Sequence, residues 1–330
     1  MRFIIFGIGA VGGALAAALT RSGIKVVGIA RGKMLDTIRA EGLRFRTPDG
    51  DEHVRFDVVG HPSEIAFRAD DVILLTMKSQ DTPEAVAALA AAGVDDQPVF
   101  CFQNGLDNER LALRYFPNVY GVTVMIPADF TKPGEVVCFG TPRHGMFDIG
   151  RYPSGMDARA QELIDALNAA NFAAFPMDDV MASKRGKLIE NLGNVIDAAM
   201  GGSVIDATLR GEGSGGVLDQ IRSEGRAVFT AAGLGWREID RNEPRRKGVM
   251  GMGTVPGAAR TGSSSTQSLK RGTGSIETDY LNGEVALMGR LNNIPVPLNT
   301  ALCRLGRDMV AGRVAPGALT EPELRKRLGL

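Results

Sequence analysis

MRFIIFGIGAVGGALAAALTRSGIKVVGIA, residues 1–30, decides how the rest of the chain is read. Two readings compete for its first part. A basic second residue, an apolar run and many small residues outline a secretory leader. A leader, however, needs a charged start and an unbroken apolar centre. Here a lone Arg2 precedes a run interrupted by Gly7, Gly9, Gly12 and Gly13. Lys25–Ile29, rich in β-branched residues, follows at once, as a βαβ unit requires. The stretch therefore reads as a strand at Phe3–Phe6, a glycine turn, an Ala-rich helix and a second strand.

The turn is GxGxxG: Gly7, Ile8, Gly9, Ala10, Val11, Gly12. Each glycine has a task. Gly7 permits the tight turn, Gly9 lets the backbone approach a pyrophosphate, and Gly12 lets the helix pack on the sheet. The helix start offers unpaired N–H groups to the anion. The second strand chooses the cofactor. An NAD site carries an acid about 20 residues past the glycines, on the ribose hydroxyls. Here the chain runs Gly28-Ile29-Ala30-Arg31-Gly32-Lys33, with no carboxylate before Asp36. Arg31 suits a 2′-phosphate, so the cofactor is expected to be NADP(H).

Outward from this unit, strands and helices alternate. Val72–Met77 and Pro98–Phe102 are continuous apolar runs, as in a parallel sheet covered on both faces, and Thr82–Ala92 between them has helical spacing. From Tyr120 to Ile149 the pattern is hairpin-like. Near residue 179 the texture changes. Met181–Met200, Val217–Leu234 and Glu277–Leu291 read as helices, and no strand is expected beyond that point. The expected fold is an α/β Rossmann-type N-terminal domain, residues 1–178, followed by an all-α C-terminal domain, residues 179–330, that supplies catalytic groups. Residues 241–274, starting RNEPRRKG, read as a long loop whose basic cluster is solvated.

Composition removes several function classes. Lys+Arg and Asp+Glu number 38 each, so net charge is zero and no nucleic-acid partner is expected. Cys101, Cys138 and Cys303 are too few and too scattered for a disulfide framework or a zinc site, and fit a reducing cytoplasm. No metal is expected. No other stretch approaches the roughly 18–20 apolar residues that span a bilayer, so no membrane partner is expected either.

Two polar residues end apolar strands: Lys78 closes VILLTMK, and Asn104 follows PVFCFQ. Ligands of open α/β sheets bind at such carboxyl ends. In the helical half, Lys187, Asn191 and Asn194 are spaced i, i+4, i+7, which places them on one face of a continuous helix. That face is either a cleft wall or a solvated surface on which Lys187 pairs with Glu190.

These motifs occur in an order that resembles the ketopantoate reductases (2-dehydropantoate 2-reductases). They are GIGAVGG, Arg31, TMKSQDT around Lys78, QNG at Gln103–Gly105, KLIEN at Lys187–Asn191, Ser265 in SSTQSLKRG, and IETDYLNG from Ile276. NNIPVPLNTAL at Asn292–Leu302 completes the set. The resemblance implies NADPH-dependent reduction of 2-dehydropantoate to pantoate, a step of pantothenate biosynthesis. It implies Lys187 as general acid, with Asn104, Asn191, Asn194, Ser265 and Glu277 on the substrate. Cofactor contacts are implied for Gly7–Gly12, Arg31, Lys78, Asn104 and Glu277. There are departures. The family's second asparagine, eight residues past the lysine, is Val195 here, and KLxxNxxxNPLTA becomes KLIENLGNVIDAAMG. The aromatic before the lysine gives way to Ser183-Lys184-Arg185-Gly186. Two alternatives follow: a reductase of another 2-keto acid, or an NADP(H)-binding sensor without turnover. Oligomeric state stays open, a homodimer included.

Overall fold

In the computed structural model, residues 1–130, 132–201, 216–239, 244–272 and 275–330 are described. They form two units. The first joins Met1–Lys184 to Ile239–Ala259, and the second joins Arg185–Glu238 to Arg260–Leu330.

The first unit carries β1 (Arg2–Phe6), β2 (Lys25–Ile29), β3 (Leu43–Thr47), β4 (Gly50–Val54), β5 (Asp57–Val59), β6 (Asp71–Leu75), β7 (Val99–Cys101), β8 (Val119–Met125), β9 (Ala128–Asp129), β10 (Glu135–Cys138), β11 (Gly140–Pro142), β12 (Met146–Arg151), β13 (Ala173–Pro176) and β14 (Met250–Met252). Eight of these make one sheet in the order β13-β12-β8-β7-β6-β1-β2-β5. From β5 to β8 every pairing is parallel, and β12 runs antiparallel beside β8. Every residue of β6 and β7 is buried, which accounts for their unbroken apolar runs. β1 lies between β2 and β6, where the chain order reverses. A doubly wound sheet opens its ligand crevice at such a point.

The helices of this unit are α1 (Ala10–Arg21), α2 (Gly32–Glu41), α3 (Thr82–Ala91), α4 (Asn108–Leu113), α5 (Ala158–Ala169) and the start of α6 (Val180–Asn191). α1 is built from Ala and Gly because it is covered on two sides. It packs on β2 and also on the small sheet β4-β3-β10-β9. A side chain at Gly13 would meet Val136 at 2.6 Å. A helix buried from residue 12 to residue 19 needs small residues all round rather than one apolar stripe.

The second unit carries the rest of α6 and α7 (Asn194–Met200), α8 (Val217–Ala231), α9 (Ser264–Lys270), α10 (Asn282–Leu291), α11 (Pro297–Val310) and α12 (Glu321–Leu328). Among its described residues it holds helices alone.

Three expectations need correction. Met181–Met200 is not one helix: it breaks at Leu192-Gly193 into α6 and α7. Gly193 sits where a Cβ would lie 2.8 Å from Leu218 Cδ2, so a larger residue would require that leucine side chain to shift. A strand does occur after residue 179: β14 pairs antiparallel with β11. Three residues of Met-Gly-Met are too short a run to show alternation. The basic cluster is also not uniformly solvated. Arg245 reaches the fully buried carboxylate of Asp148, Nη1 to Oδ1 at 2.6 Å, and its guanidinium lies 4.9 Å from the centre of the Phe175 ring.

Candidate active site

The glycine turn joins β1 to α1 at the reversal of strand order. Gly7 has φ +106°, a left-handed conformation that disfavours side chains, and a Cβ there would lie 2.7 Å from Met77 N. A Cβ on Gly12 would lie 2.3 Å from Gly7 O and 2.4 Å from Thr76 Oγ1. Gly9 is the opposite: a Cβ there meets nothing within 4 Å. The space over Gly9 is open to a ligand, whereas Gly7 and Gly12 are closed by protein. The first α1 ladder bond runs from Gly13 N–H to Gly9 O at 2.8 Å, so the amides of Ala10, Val11 and Gly12 precede the ladder. The first turn holds no acid. An open backbone cradle at an acid-free helix start fits a pyrophosphate.

Beside it, the loops after β6 and β7 carry Lys78 and Asn104, both half-buried. Side chains tie these loops together. Ser79 Oγ donates to Asn104 O at 2.9 Å, and so does Asn108 Nδ2, also at 2.9 Å. Asn108 Nδ2 also reaches Ser79 Oγ at 3.1 Å, and Thr82 Oγ1 donates to Asn108 Oδ1 at 2.8 Å. Gln103 Nε2 bonds Thr82 Oγ1 at 3.1 Å. Lys78 and Asn104 thus stand on a rigid rim rather than on independent loops.

Arg31 precedes α2 with its side chain 72% exposed, 3.4 Å from Asp81 Oδ1. An ion pair this open contributes little, so the guanidinium can exchange Asp81 for a phosphate at small cost.

In the second unit, Lys187 and Asn191 lie one turn apart on α6, both half-buried. Glu190 is engaged by Arg222 of α8 at 2.9 Å. Asn194 opens α7, beyond the break, so the shared-face argument stops at Asn191. The break leaves the Leu192 carbonyl outside a helix ladder, and Asn282 Nδ2 donates to it at 3.0 Å. Asn282 is held in turn by Asn299 Oδ1 at 2.9 Å. The asparagine of IETDYLNG is thereby a brace for the α6–α7 corner. Glu277, 6% exposed, begins the short turn Glu277–Tyr280 ahead of it. Ser265, 3% exposed, lies in the first turn of α9. Asp197 of α7 fixes that turn by accepting from Ser263 N–H at 2.7 Å and Thr266 Oγ1 at 2.6 Å. Ser263 Oγ donates to Asn194 O at 3.1 Å. Asn194 and Ser265 are therefore joined through one clip.

Sequence reading passed over a buried ion pair. Lys184 of α6 and Glu109 of α4 meet at 2.5 Å with side chains 2% and 0% exposed. Lys184 Nζ also donates to Gln103 O at 2.9 Å. Burial raises the Glu109 carboxyl against the opposing pull of the Lys184 ammonium. The only signal was the charged residue inside Ser183-Lys184-Arg185-Gly186, in place of the family's aromatic. Ser183 Oγ also donates to Asp148, beside Arg245.

No helix among the described residues is long and apolar enough to cross a membrane. Among the same residues, no group of three or more His, Cys, Asp or Glu is placed to hold a metal ion.

Comparison with known proteins covers both units. Ketopantoate reductase PanE/ApbA matches residues 3–154, and Ketopantoate reductase PanE/ApbA C terminal matches residues 179–309. A 2-dehydropantoate 2-reductase of Archaeoglobus fulgidus is 27% identical over 315 residues, covering 94% of this chain and 98% of its own length. The crystal structure of a PanE/ApbA family ketopantoate reductase from Ralstonia eutropha JMP134 superposes with TM-score 0.77 at 29% identity, over 95% of this chain and 99% of that one. A D-mandelate dehydrogenase solved with NADH and anilino(oxo)acetate also reaches TM-score 0.77, over 94% of this chain and 99% of that one, but at 20% identity, which speaks to the fold alone. The two family matches fall in the order the motifs required. They take in the glycine turn and Asn104 on one side of residue 179 and Lys187, Ser265 and Glu277 on the other, so the chain belongs to the ketopantoate reductase family of NADPH-dependent oxidoreductases.

Proposed function

We propose that this chain reduces 2-dehydropantoate to pantoate. The observation that carries the reading is the set Lys187, Asn191, Ser265 and Glu277, half-buried or buried on α6, α9 and the Glu277 turn. A solvated helix face does not account for such a set. The amides ahead of the α1 ladder and the open space at Gly9 would hold the pyrophosphate, and Arg31 the 2′-phosphate. When bound, NADPH supplies a hydride to the ketone carbon. Lys187 then stabilises the charge developing on the ketone oxygen and gives it a proton, work that general acids contribute at about 10²–10⁴-fold in rate. Its chemistry fits the task, since an ammonium both neutralises the oxyanion and carries a transferable proton. Ser265 donates to the substrate carboxylate, Asn191 bonds the substrate, and Glu277 accepts from the 4-hydroxyl. Analogues lacking that hydroxyl would lose its hydrogen bond to Glu277 and react less well.

A second reading, a reductase of another 2-keto acid, is favoured by one feature. The run NVIDAAMG puts Asp197 where the family's NPLTA run is uncharged, and Asp197 holds the turn that bears Ser265. NADPH oxidation at 340 nm against a panel of 2-keto acids separates the two. The proposal stands if turnover on 2-dehydropantoate far exceeds all others. It falls if another acid leads, or if NADPH binds without turnover.

A further inference from the structure

We propose that Lys184 and Glu109 are positioning residues that set the backbone of Asn104, acting through the Gln103 carbonyl. The inference rests on the reading of Asn104 as a residue of the substrate side. A residue's φ and ψ are fixed when the peptide planes on both sides of it are fixed. The plane after Asn104 is held through its own carbonyl by Ser79 Oγ and Asn108 Nδ2, each at 2.9 Å. The plane before it is held through the Gln103 carbonyl by Lys184 Nζ, also at 2.9 Å. Gly105 follows with φ +85°, so the chain turns sharply just past the clamped residue.

The ion pair explains why Lys184 points there. Its ammonium is 2.5 Å from Glu109 Oε1, in the first turn of α4, one residue past Asn108. α4 thus sends one side chain to each clamp: Asn108 directly to the Asn104 carbonyl, and Glu109 to the lysine that holds the Gln103 carbonyl. Gly121 of β8 lines the pair: a Cβ there would touch Glu109 Oε1 and Lys184 Cδ at 3.5 Å each and would crowd Val180 Cγ1 at 2.9 Å. Stability alone is a poor reason for this arrangement. Well-packed apolar residues in place of a buried ion pair are often neutral or stabilising. What apolar residues cannot supply is a donor to the Gln103 carbonyl.

The test separates positioning from stability. The double variant K184M/E109L removes the pair without leaving a lone buried charge. It is expected to melt at or above the parent. Its kcat on the preferred 2-keto acid is expected to fall about ten- to a hundredfold, the scale of a small misplacement in an active site. NADPH affinity by nicotinamide fluorescence stays near parental, and deuterium uptake at residues 103–105 rises. Glu109→Gln keeps a hydrogen-bonding partner for Lys184, so it retains most of the parental kcat whatever its melting temperature. Asn104→Ala loses activity by itself, and adding it to the double variant costs little more, since both act on one element. A double variant with parental kcat, a Glu109→Gln variant as impaired as the double, or fully multiplicative losses would each overturn the proposal. Parental kcat in Asn104→Ala instead refutes the reading of Asn104 on which it rests.

Discussion

Gly9 and Gly12 stand three residues apart in one motif, yet the structure assigns them different kinds of failure. At Gly12 a methyl group would lie 2.3 Å from a backbone oxygen and 2.4 Å from Thr76 Oγ1. The turn must shift, at about 1–3 kcal/mol for overpacking. The Thr76 Oγ1 to Gly7 O bond, 2.8 Å, is disturbed as well, for about 1 kcal/mol. Replacing Gly by Ala inside a helix returns about 1 kcal/mol. Gly12→Ala should therefore destabilise the apo protein by about 1–3 kcal/mol, a fall in Tm of about 2–12 °C. At Gly9 the methyl meets nothing within 4 Å, and the loss is confined to the helix cap, under about 1 kcal/mol. The methyl occupies the space that a pyrophosphate needs. Losing one charge-assisted amide contact of about 1.5–3 kcal/mol weakens NADPH by about 10–150-fold. Thermal melts without cofactor, paired with fluorescence titration of NADPH, read both effects. A Gly9→Ala variant that binds NADPH like the parent, or whose apo Tm falls as far as that of Gly12→Ala, refutes the assignment of the cradle.

Other outcomes follow from the same geometry. Lys187→Ala should lower kcat by at least about 10²-fold with NADPH affinity little changed; a fall under about tenfold, or roughly 1.4 kcal/mol of barrier, removes it as general acid. Arg31→Ala should weaken NADPH far more than NADH in direct titrations, because only NADPH carries the phosphate; equal losses would take Arg31 out of the site. Lys184→Met alone strands the buried Glu109 carboxylate, so denaturant titration should show a loss of about 3–5 kcal/mol, and a loss below about 1 kcal/mol would show the pair to be solvated. His144, 4% exposed between the edges of Phe45 and Phe172, is pushed by burial down to about 4. Its neutral form is the folded one, so this stability is complete above the ordinary histidine pKa of about 6.5 and is lost as pH falls toward the folded value. Urea titrations at pH 8 and pH 5 should show about 2 kcal/mol of acid sensitivity that His144→Phe lacks, and equal sensitivity in both proteins would locate the effect elsewhere.

The first βαβ unit was legible because each of its residues answers a local demand. A glycine is required where a Cβ would strike Met77 or Gly7, and four consecutive apolar residues, Val72–Leu75, are required where β6 is covered on both faces. The α6–α7 break was not legible, since Leu192-Gly193 has no proline and the neighbour that crowds Gly193, Leu218, is distant in sequence. The small sheet was missed for a related reason: Gly50–Val54 reads GDEHV, an exposed edge strand with almost no apolar residue. Of the candidate site, the residues proposed to carry chemistry stood out through their order along the chain. The polar residues packed around them did not. Lys184, Glu109, Asp197 and Asn282 are polar side chains whose meaning depends on a partner 17 to 90 residues away. Their own neighbourhood shows neither the partner nor the burial.

The return of Ile239–Ala259 to the first unit governs when that unit can be finished during synthesis. A ribosome delivers the whole parallel sheet, its crossover helices and Lys184 before it delivers Arg245. Until then Asp148, fully buried in the complete fold, has Ser183 for company but no guanidinium to offset its charge, and β11 has one edge waiting for β14. The guanidinium partner of Asp148 arrives only after more than fifty intervening residues have emerged. The β11–β12 margin of the first unit is thus completed last, by a segment made only after the intervening helices.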